Sequence, residues 1–368
     1  MTFDATKAPF PWNGGKSRAA SAVWAALGDV AHYVEPFAGS LAVLLGRPHE
    51  ANRPYYSETV GDADALIANA WRAVRDHPDE VATHASWPVS EVDLHARHCR
   101  LIQWRDDREV DHLCGDPDWS DSEIAGWWLW GVASWIGTGF CSSNHGPWWP
   151  DDDGHLVKGA GRGVKRQRPN INNNGMGVNA PQLRERGVWR QLPHISNDGR
   201  CVNSAGLRER QQIEFGDVMP KLVEWMRLLS ARMRHVRIVA GDWKRICTRG
   251  AVETLSVRTG GLAGIFLDPP YSTDVRGADL YGVDDGTVAK DVLEWCVAHT
   301  DRPWRIVLAG YADEEHAGRL LPLGWREVSW TGNEGLIGSG QQKDRDRRAQ
   351  ERLWCSPACE GARQQLLF

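Results

Sequence analysis

Apolar and polar positions change period along this chain, and the changes outline its organisation. Short apolar runs bounded by Gly, Pro or Asp read as buried strands. They are His32-Tyr33-Val34-Glu35, Tyr55-Tyr56-Ser57-Glu58, Val236-Arg237-Ile238-Val239-Ala240, Gly264-Ile265-Phe266-Leu267 and Arg305-Ile306-Val307-Leu308-Ala309. Helical periodicity separates them at 41–45, 66–77, 288–298 and about 313–321, and Pro78 is read as the end of the helix 66–77. The chain finishes with apolar runs at 325–330 and 352–355, divided by a Gly- and charge-rich loop at 335–348. Strand and helix in alternation predict an α/β fold. Residues 79–235 break the rhythm. Helices are expected there at 90–107, 122–136 and 215–233, with an irregular stretch from Gly137 to about Gly206. Three segments follow: 1–77 and 236–368 as two parts of one α/β domain, and 78–235 as an insertion.

Composition narrows this little. The 368 residues suffice for one large domain or two, and 42% hydrophobic with 25% charged residues is ordinary for a globular protein. No apolar run approaches the ~18 residues of a membrane span. The N-terminus lacks a basic region followed by an apolar stretch, so a cytoplasmic location is expected. The eight cysteines include no CxxC pair. The group His95, His98, Cys99, His112, Cys114 has no common zinc spacing and reads as a polar helix, so no metal is expected.

Charge distribution is more informative than the net value of −5. From Lys158 to Arg237 there are 16 Lys/Arg against six Asp/Glu, a local +10, so the remainder carries −15. A basic segment in an acidic chain is the footprint of a nucleic-acid binder. Within it, Lys158, Arg162, Lys165, Arg166 and Arg168 are spaced by glycines. That pattern suits an arm that follows phosphates, and it also suits a solvated insertion.

The most specific chemistry lies at Asp268-Pro269-Pro270-Tyr271. Two prolines stop the preceding strand, because proline fixes φ and donates no N–H. A carboxylate, two stiff backbone units and a ring are thereby set at the C-terminal edge of a sheet, where α/β folds bind ligands. The same four residues would also fit a strand end closed by a proline turn and a capping aspartate. As a site, they fit methylation of an exocyclic amine. Asp268 and the Pro269 carbonyl can each accept an N–H hydrogen bond, turning the nitrogen lone pair towards a methyl donor. Tyr271 can stack on a base taken out of a duplex. Earlier motifs fit a nucleotide-binding unit: Trp12 and Gly14-Gly15-Lys16 before a helix, Glu35-Pro36-Phe37-Ala38-Gly39 after a strand, and Asp62 or Asp64 after the next. One of these two aspartates is expected to cap a helix, and Asp62 to bind.

Taken in order, Trp12, Gly14-Gly15-Lys16, Glu35-Pro36-Phe37…Gly39, Asp62 and Asp268-Pro269-Pro270-Tyr271 resemble the DNA adenine methylase (Dam-type, alpha-group) family of adenine-N6 methyltransferases. The resemblance covers roughly residues 8–77 and 236–356, and its feel is closest to phage and actinobacterial members. It implies a Rossmann-like methyltransferase sheet using S-adenosylmethionine, with an inserted, largely helical target-recognition domain. It places Trp12 and Lys16 beside the cofactor's methionine end and Glu35, Pro36, Phe37 and Gly39 in the cofactor loop. Asp62 would hold the ribose, Asp242 and Trp243 the adenine, and Asp268 to Tyr271 the catalytic position. The sequence departs from the family at Leu41, where the cofactor loop usually has a second glycine.

The implied partner is double-stranded DNA, with a cognate restriction enzyme as a candidate companion and a monomer or weak dimer as the working form. Cytosine-N4 methylation, methylation of RNA or a nucleoside, and a non-catalytic DNA-binding protein remain alternatives.

Overall fold

The computed structural model describes residues 7–10, 12, 16–48, 56–87, 91–106, 109–134, 140–141, 148–150, 156–158, 218–258, 261–270, 287–312, 314–330 and 351–360. The chain divides into two compact units. One comprises Lys16–Ala63, His235–Gly277 and Asp285–Phe368, and the other Met1–Gly15, Asp64–Arg234 and Ala278–Asp284.

The first unit is built on a seven-stranded, mostly parallel sheet. Its strands are β1 (His32–Glu35), β2 (Ser57–Asp62), β5 (Val236–Ala240), β6 (Ala263–Leu267), β7 (Arg305–Tyr311), β8 (Arg326–Val328) and β9 (Glu351–Cys355); β3 (Trp148–Pro150) and β4 (Leu156–Lys158) form a separate antiparallel pair. The order across the sheet is β5-β2-β1-β6-β7-β9-β8. The first five strands are parallel, and β9 runs antiparallel to both β7 and β8. From β1 the chain order steps outward to β2 and β5 on one side and to β6 and β7 on the other, with β9 inserted between β7 and the edge strand β8, so the strand order reverses between β1 and β6. This doubly wound arrangement is compatible with a Rossmann-like fold.

Burial explains why these residues form these strands. β1 and β6 are buried along their whole length, as expected when helices cover both faces of a parallel sheet. Alternate side chains serve opposite faces. Val34, Ile265, Leu267, Ile306 and Leu308 pack with Val292, Leu293 and Cys296 of the helix Val288–Ala298. On the other face, Tyr33 meets Trp24 of α1 (Ala20–Leu27), with ring centroids 4.8 Å apart.

β2 lies further along the chain than the sequence suggests. It continues through Thr59-Val60-Gly61-Asp62, pairing Val60 with Glu35 of β1 and Asp62 with Ala240 of β5. A Cβ on Gly61 would lie 3.0 Å from Ile246 Cδ1 and 3.3 Å from the Val239 carbonyl. The glycine answers to close packing within a strand.

Among its described residues the second unit is mostly helical: α3 (Ala65–Asp76), α4 (Pro78–Ala85), α5 (Glu91–Asp106), α6 (Glu109–Gly115), α7 (Ser122–Ser134) and the helix Val218–Met233. Asp64 begins α3 by accepting a hydrogen bond from Leu66 N at 2.9 Å. Pro78 does more than follow α3; it is the first residue of α4, a position where its missing N–H costs nothing. The boundary between units falls at Ala63/Asp64, so α3, expected with the sheet, clusters with the helices. Trp128 and Trp130 of α7 are buried core residues, Trp127 is half-buried, and Trp135 lies outside the described residues.

Candidate functional site

Four neighbouring parallel strands end in acidic residues or lead directly into them. β1 ends at Glu35, β2 at Asp62, β5 leads through Gly241 to Asp242, and β6 leads to Asp268. The crevice beyond these C-terminal ends, where the strand order reverses, is the position at which open α/β sheets bind ligands. The four carboxylates are nevertheless engaged differently.

Asp268 follows Leu267 directly. Its Oδ1 lies 3.0 Å from Nζ of Lys16; the lysine side chain is 4% exposed and the aspartate 20%. Burial pushes the Asp268 carboxyl above its ordinary range, and the ion pair and hydrogen bond with Lys16 oppose that push. Pro269 is buried and Pro270 half-buried, while Tyr271 lies outside the described residues.

Glu35 turns into the protein. Its side chain is buried, and its Oε2 accepts hydrogen bonds from Tyr33 OH at 3.0 Å and Leu44 N at 3.1 Å. Burial raises its carboxyl to about 8, with the Asp268 and Glu58 charges adding to the rise and the two hydrogen bonds resisting it. Glu35 therefore braces the short helix α2 (Ala42–Leu45) as a predominantly neutral acid at pH 7. Both of these hydrogen bonds tie Glu35 to protein groups.

Asp62 ties that loop to the sheet. Its Oδ2 accepts from Gly39 N at 2.9 Å, and Ala38 N donates to the Gly61 carbonyl at 2.8 Å. Gly39 has φ 44°, which glycine adopts freely. Leu41, the departure from the family pattern, keeps a left-handed backbone at φ 51° and ψ 29° although it is not glycine. Its side chain is fully buried, so packing holds a conformation that costs about 1–2 kcal/mol. The turn is thus achieved with leucine where the family pattern has glycine.

Asp242 is exposed and caps a short turn, accepting from Lys244 N at 2.7 Å. Trp243 is buried, its ring 6.0 Å from that of half-buried Phe37. Pro36, which precedes Phe37, is buried. Trp12 belongs to the helical unit, where its ring lies 6.1 Å from Phe10 and 6.2 Å from Trp128.

No family model and no curated protein matches the chain.

Of the expected nucleic-acid contacts, Lys158 closes β4 opposite Trp148, and Arg162, Lys165, Arg166 and Arg168 lie outside the described residues. In the histidine- and cysteine-bearing stretch, His98 Nδ1 is 3.8 Å from Cys141 Sγ, and the His112 ring stacks on Trp119. Burial lowers His98 to about 4. No helix among the described residues is long and apolar enough to cross a membrane.

Two participants escaped the sequence reading, Tyr33 and the backbone of Leu44. Tyr33 had a signal: it stands two residues before Glu35 on one strand, which puts both side chains on the same face. Leu44 had none, since a backbone donor carries no residue signature.

Proposed function

We propose that this protein is an S-adenosylmethionine-dependent DNA methyltransferase acting on adenine N6. The observation that carries the reading is the placement of Asp268-Pro269-Pro270 at the end of β6, beside β1, where the strand order reverses. A carboxylate and a rigid carbonyl at that edge are the groups an exocyclic amine needs in order to present its lone pair.

The residues present fit the implied cofactor by their chemistry. Asp62, at the end of β2, occupies the place where doubly wound folds bind ribose hydroxyls. Half-buried Phe37, backed by Trp243, offers aromatic surface for a purine, and the Gly39 turn allows a close backbone approach. When bound, the cofactor would supply an electrophilic methyl group on a sulfonium. Asp268 would accept one N–H of the target amine and the Pro269 carbonyl the other, favouring a nitrogen whose lone pair faces the methyl. Such preorganised hydrogen bonding acts mainly on the rate of the chemical step. A nucleic-acid polymer as substrate is supported by the basic segment 158–237 within an acidic chain, and the family resemblance points to DNA.

The test is transfer of labelled methyl from S-adenosylmethionine to duplex DNA by the purified protein, followed by digestion and nucleoside chromatography. Label in N6-methyladenine is the expected result. Label in N4-methylcytosine would move the activity to another exocyclic amine, label in RNA alone would move it to another polymer, and label in neither would defeat the proposal.

A further inference from the structure

The Lys16–Asp268 pair invites a role for Lys16 distinct from the cofactor-side position implied by the family resemblance. The lysine is fixed at its base: its carbonyl accepts from Ala19 N and Ala20 N, both at 2.9 Å, at the start of α1. Its ammonium is almost fully withdrawn from solvent, which is costly unless an opposite charge compensates. The groups that act on Asp268 have opposite signs. Lys16 lies at 3.0 Å, and Glu35, at the end of the adjacent strand β1, is coupled to it electrostatically. Glu35 carries charge only as the pH approaches about 8, so the lysine dominates below that.

Resting on the methyl-transfer reading above, we infer that Lys16 is a positioning residue: its ammonium holds the Asp268 carboxylate ionised and in one rotation, ready to accept a hydrogen bond from the target amine. A protonated Asp268 would present a donor where an acceptor is needed. Burial at the strand end pushes the group that way, and the ion pair is the feature that opposes it. The lysine also carries no hydrogen-bond acceptor, so it cannot substitute for Asp268 towards the amine.

The test compares wild type with Lys16→Met, Lys16→Gln and Lys16→Arg in single-turnover methylation from pH 5.5 to 9. Losing the opposite charge raises the carboxyl further, so the methionine and glutamine variants should lose more rate as pH falls. The additional loss between pH 8 and pH 6 should be on the order of tenfold. Lys16→Arg should restore the wild-type profile shape. Glutamine can still donate to the carboxylate, so it provides a neutral variant less prone to misfolding than methionine. A second readout needs no turnover: carboxyl carbon NMR, with the Asp268 signal assigned through Asp268→Asn, should show its midpoint moving up in both neutral variants. An unmoved midpoint overturns the inference. So does a rate loss that is uniform in pH and matched by weaker S-adenosylmethionine binding in calorimetry, because Lys16 would then serve the cofactor. If wild type methylates nothing, the functional reading fails, while the NMR midpoint still decides whether Lys16 governs Asp268.

Discussion

Glu35 and Asp268 stand at the ends of adjacent parallel strands, and both are carboxylates withdrawn from water. Their partners separate them. Glu35 is met by a phenol and a backbone N–H, neither of which carries a charge, and it holds its proton up to about pH 8. Asp268 is met by an ammonium. Burial alone does not decide what a strand-end carboxylate can do. Neutral donors leave Glu35 an architectural acid, whereas the cation beside Asp268 opposes the upward push of burial on its carboxyl.

The largest expected effect tests the neutral half of that contrast. Because its folded value lies above the ordinary 4.5, Glu35 binds a proton in the folded state that the unfolded chain releases. Its contribution to stability is full below about pH 4.5 and declines as pH rises to about 8, by on the order of 4 kcal/mol. His32, lowered to about 4 by burial, acts with the opposite trend below about pH 6.5, but equally in both proteins. The difference in urea-unfolding stability between wild type and Glu35→Gln should therefore change steadily across that window, with the glutamine protein gaining relative to wild type as pH rises. A difference independent of pH would mean that Glu35 does not hold its proton across that window.

Asp268→Ala tests the charged half. It should lower the single-turnover methylation rate by ~10²–10³ while sparing most DNA binding, and it should also cost stability, because Lys16 is left buried without its opposite charge. Near-normal rates would remove Asp268 from the catalytic position.

Asp62→Ala asks whether the third carboxylate serves a ligand as well as the loop. Its S-adenosylmethionine affinity, measured calorimetrically, should weaken by about 1.5–3 kcal/mol. Unchanged affinity would confine Asp62 to its bond with Gly39. Tyr33→Phe is the smallest change. It should cost about 0.5–1.5 kcal/mol of stability, the worth of one hydrogen bond, without altering the rate-limiting chemistry. A large rate loss would show that Glu35 is coupled to the reaction after all.

Much of the sheet was legible because its signals are local. The apolar runs at β1, β5, β6 and β7 and the prolines after Asp268 announce buried strands and their ends. What escaped depended on neighbours distant in sequence. The strand read at 55–58 extends through Asp62 only because β1 and β5 pair with Val60, Gly61 and Asp62. Pro78 signals a stop and a start with the same chemistry, so α4 was hidden behind the end of α3. In the site, the positions of Asp268 and Asp62 could be read, whereas the Lys16 ion pair and the engagement of Glu35 by Tyr33 and Leu44 required the strands to be in register. Leu41 is the sharpest case: its left-handed backbone was concealed by a side chain that ordinarily forbids it.

The pairing of β2 with β5 also bears on how the chain reaches this state. Arg237 donates to Ser57 across 180 positions of sequence, so this edge of the sheet closes over the whole of residues 64–234. Contacts of such separation make folding slow, and β5 is expected to join after the more local pairs have formed. Closure entropy, however, grows only logarithmically: doubling the intervening length would cost about 0.6 kcal/mol. The kinetic burden of this topology is heavy and its thermodynamic burden light. The intervening unit is therefore free to lengthen, shorten or be exchanged in evolution with little cost to the sheet that carries the proposed chemistry.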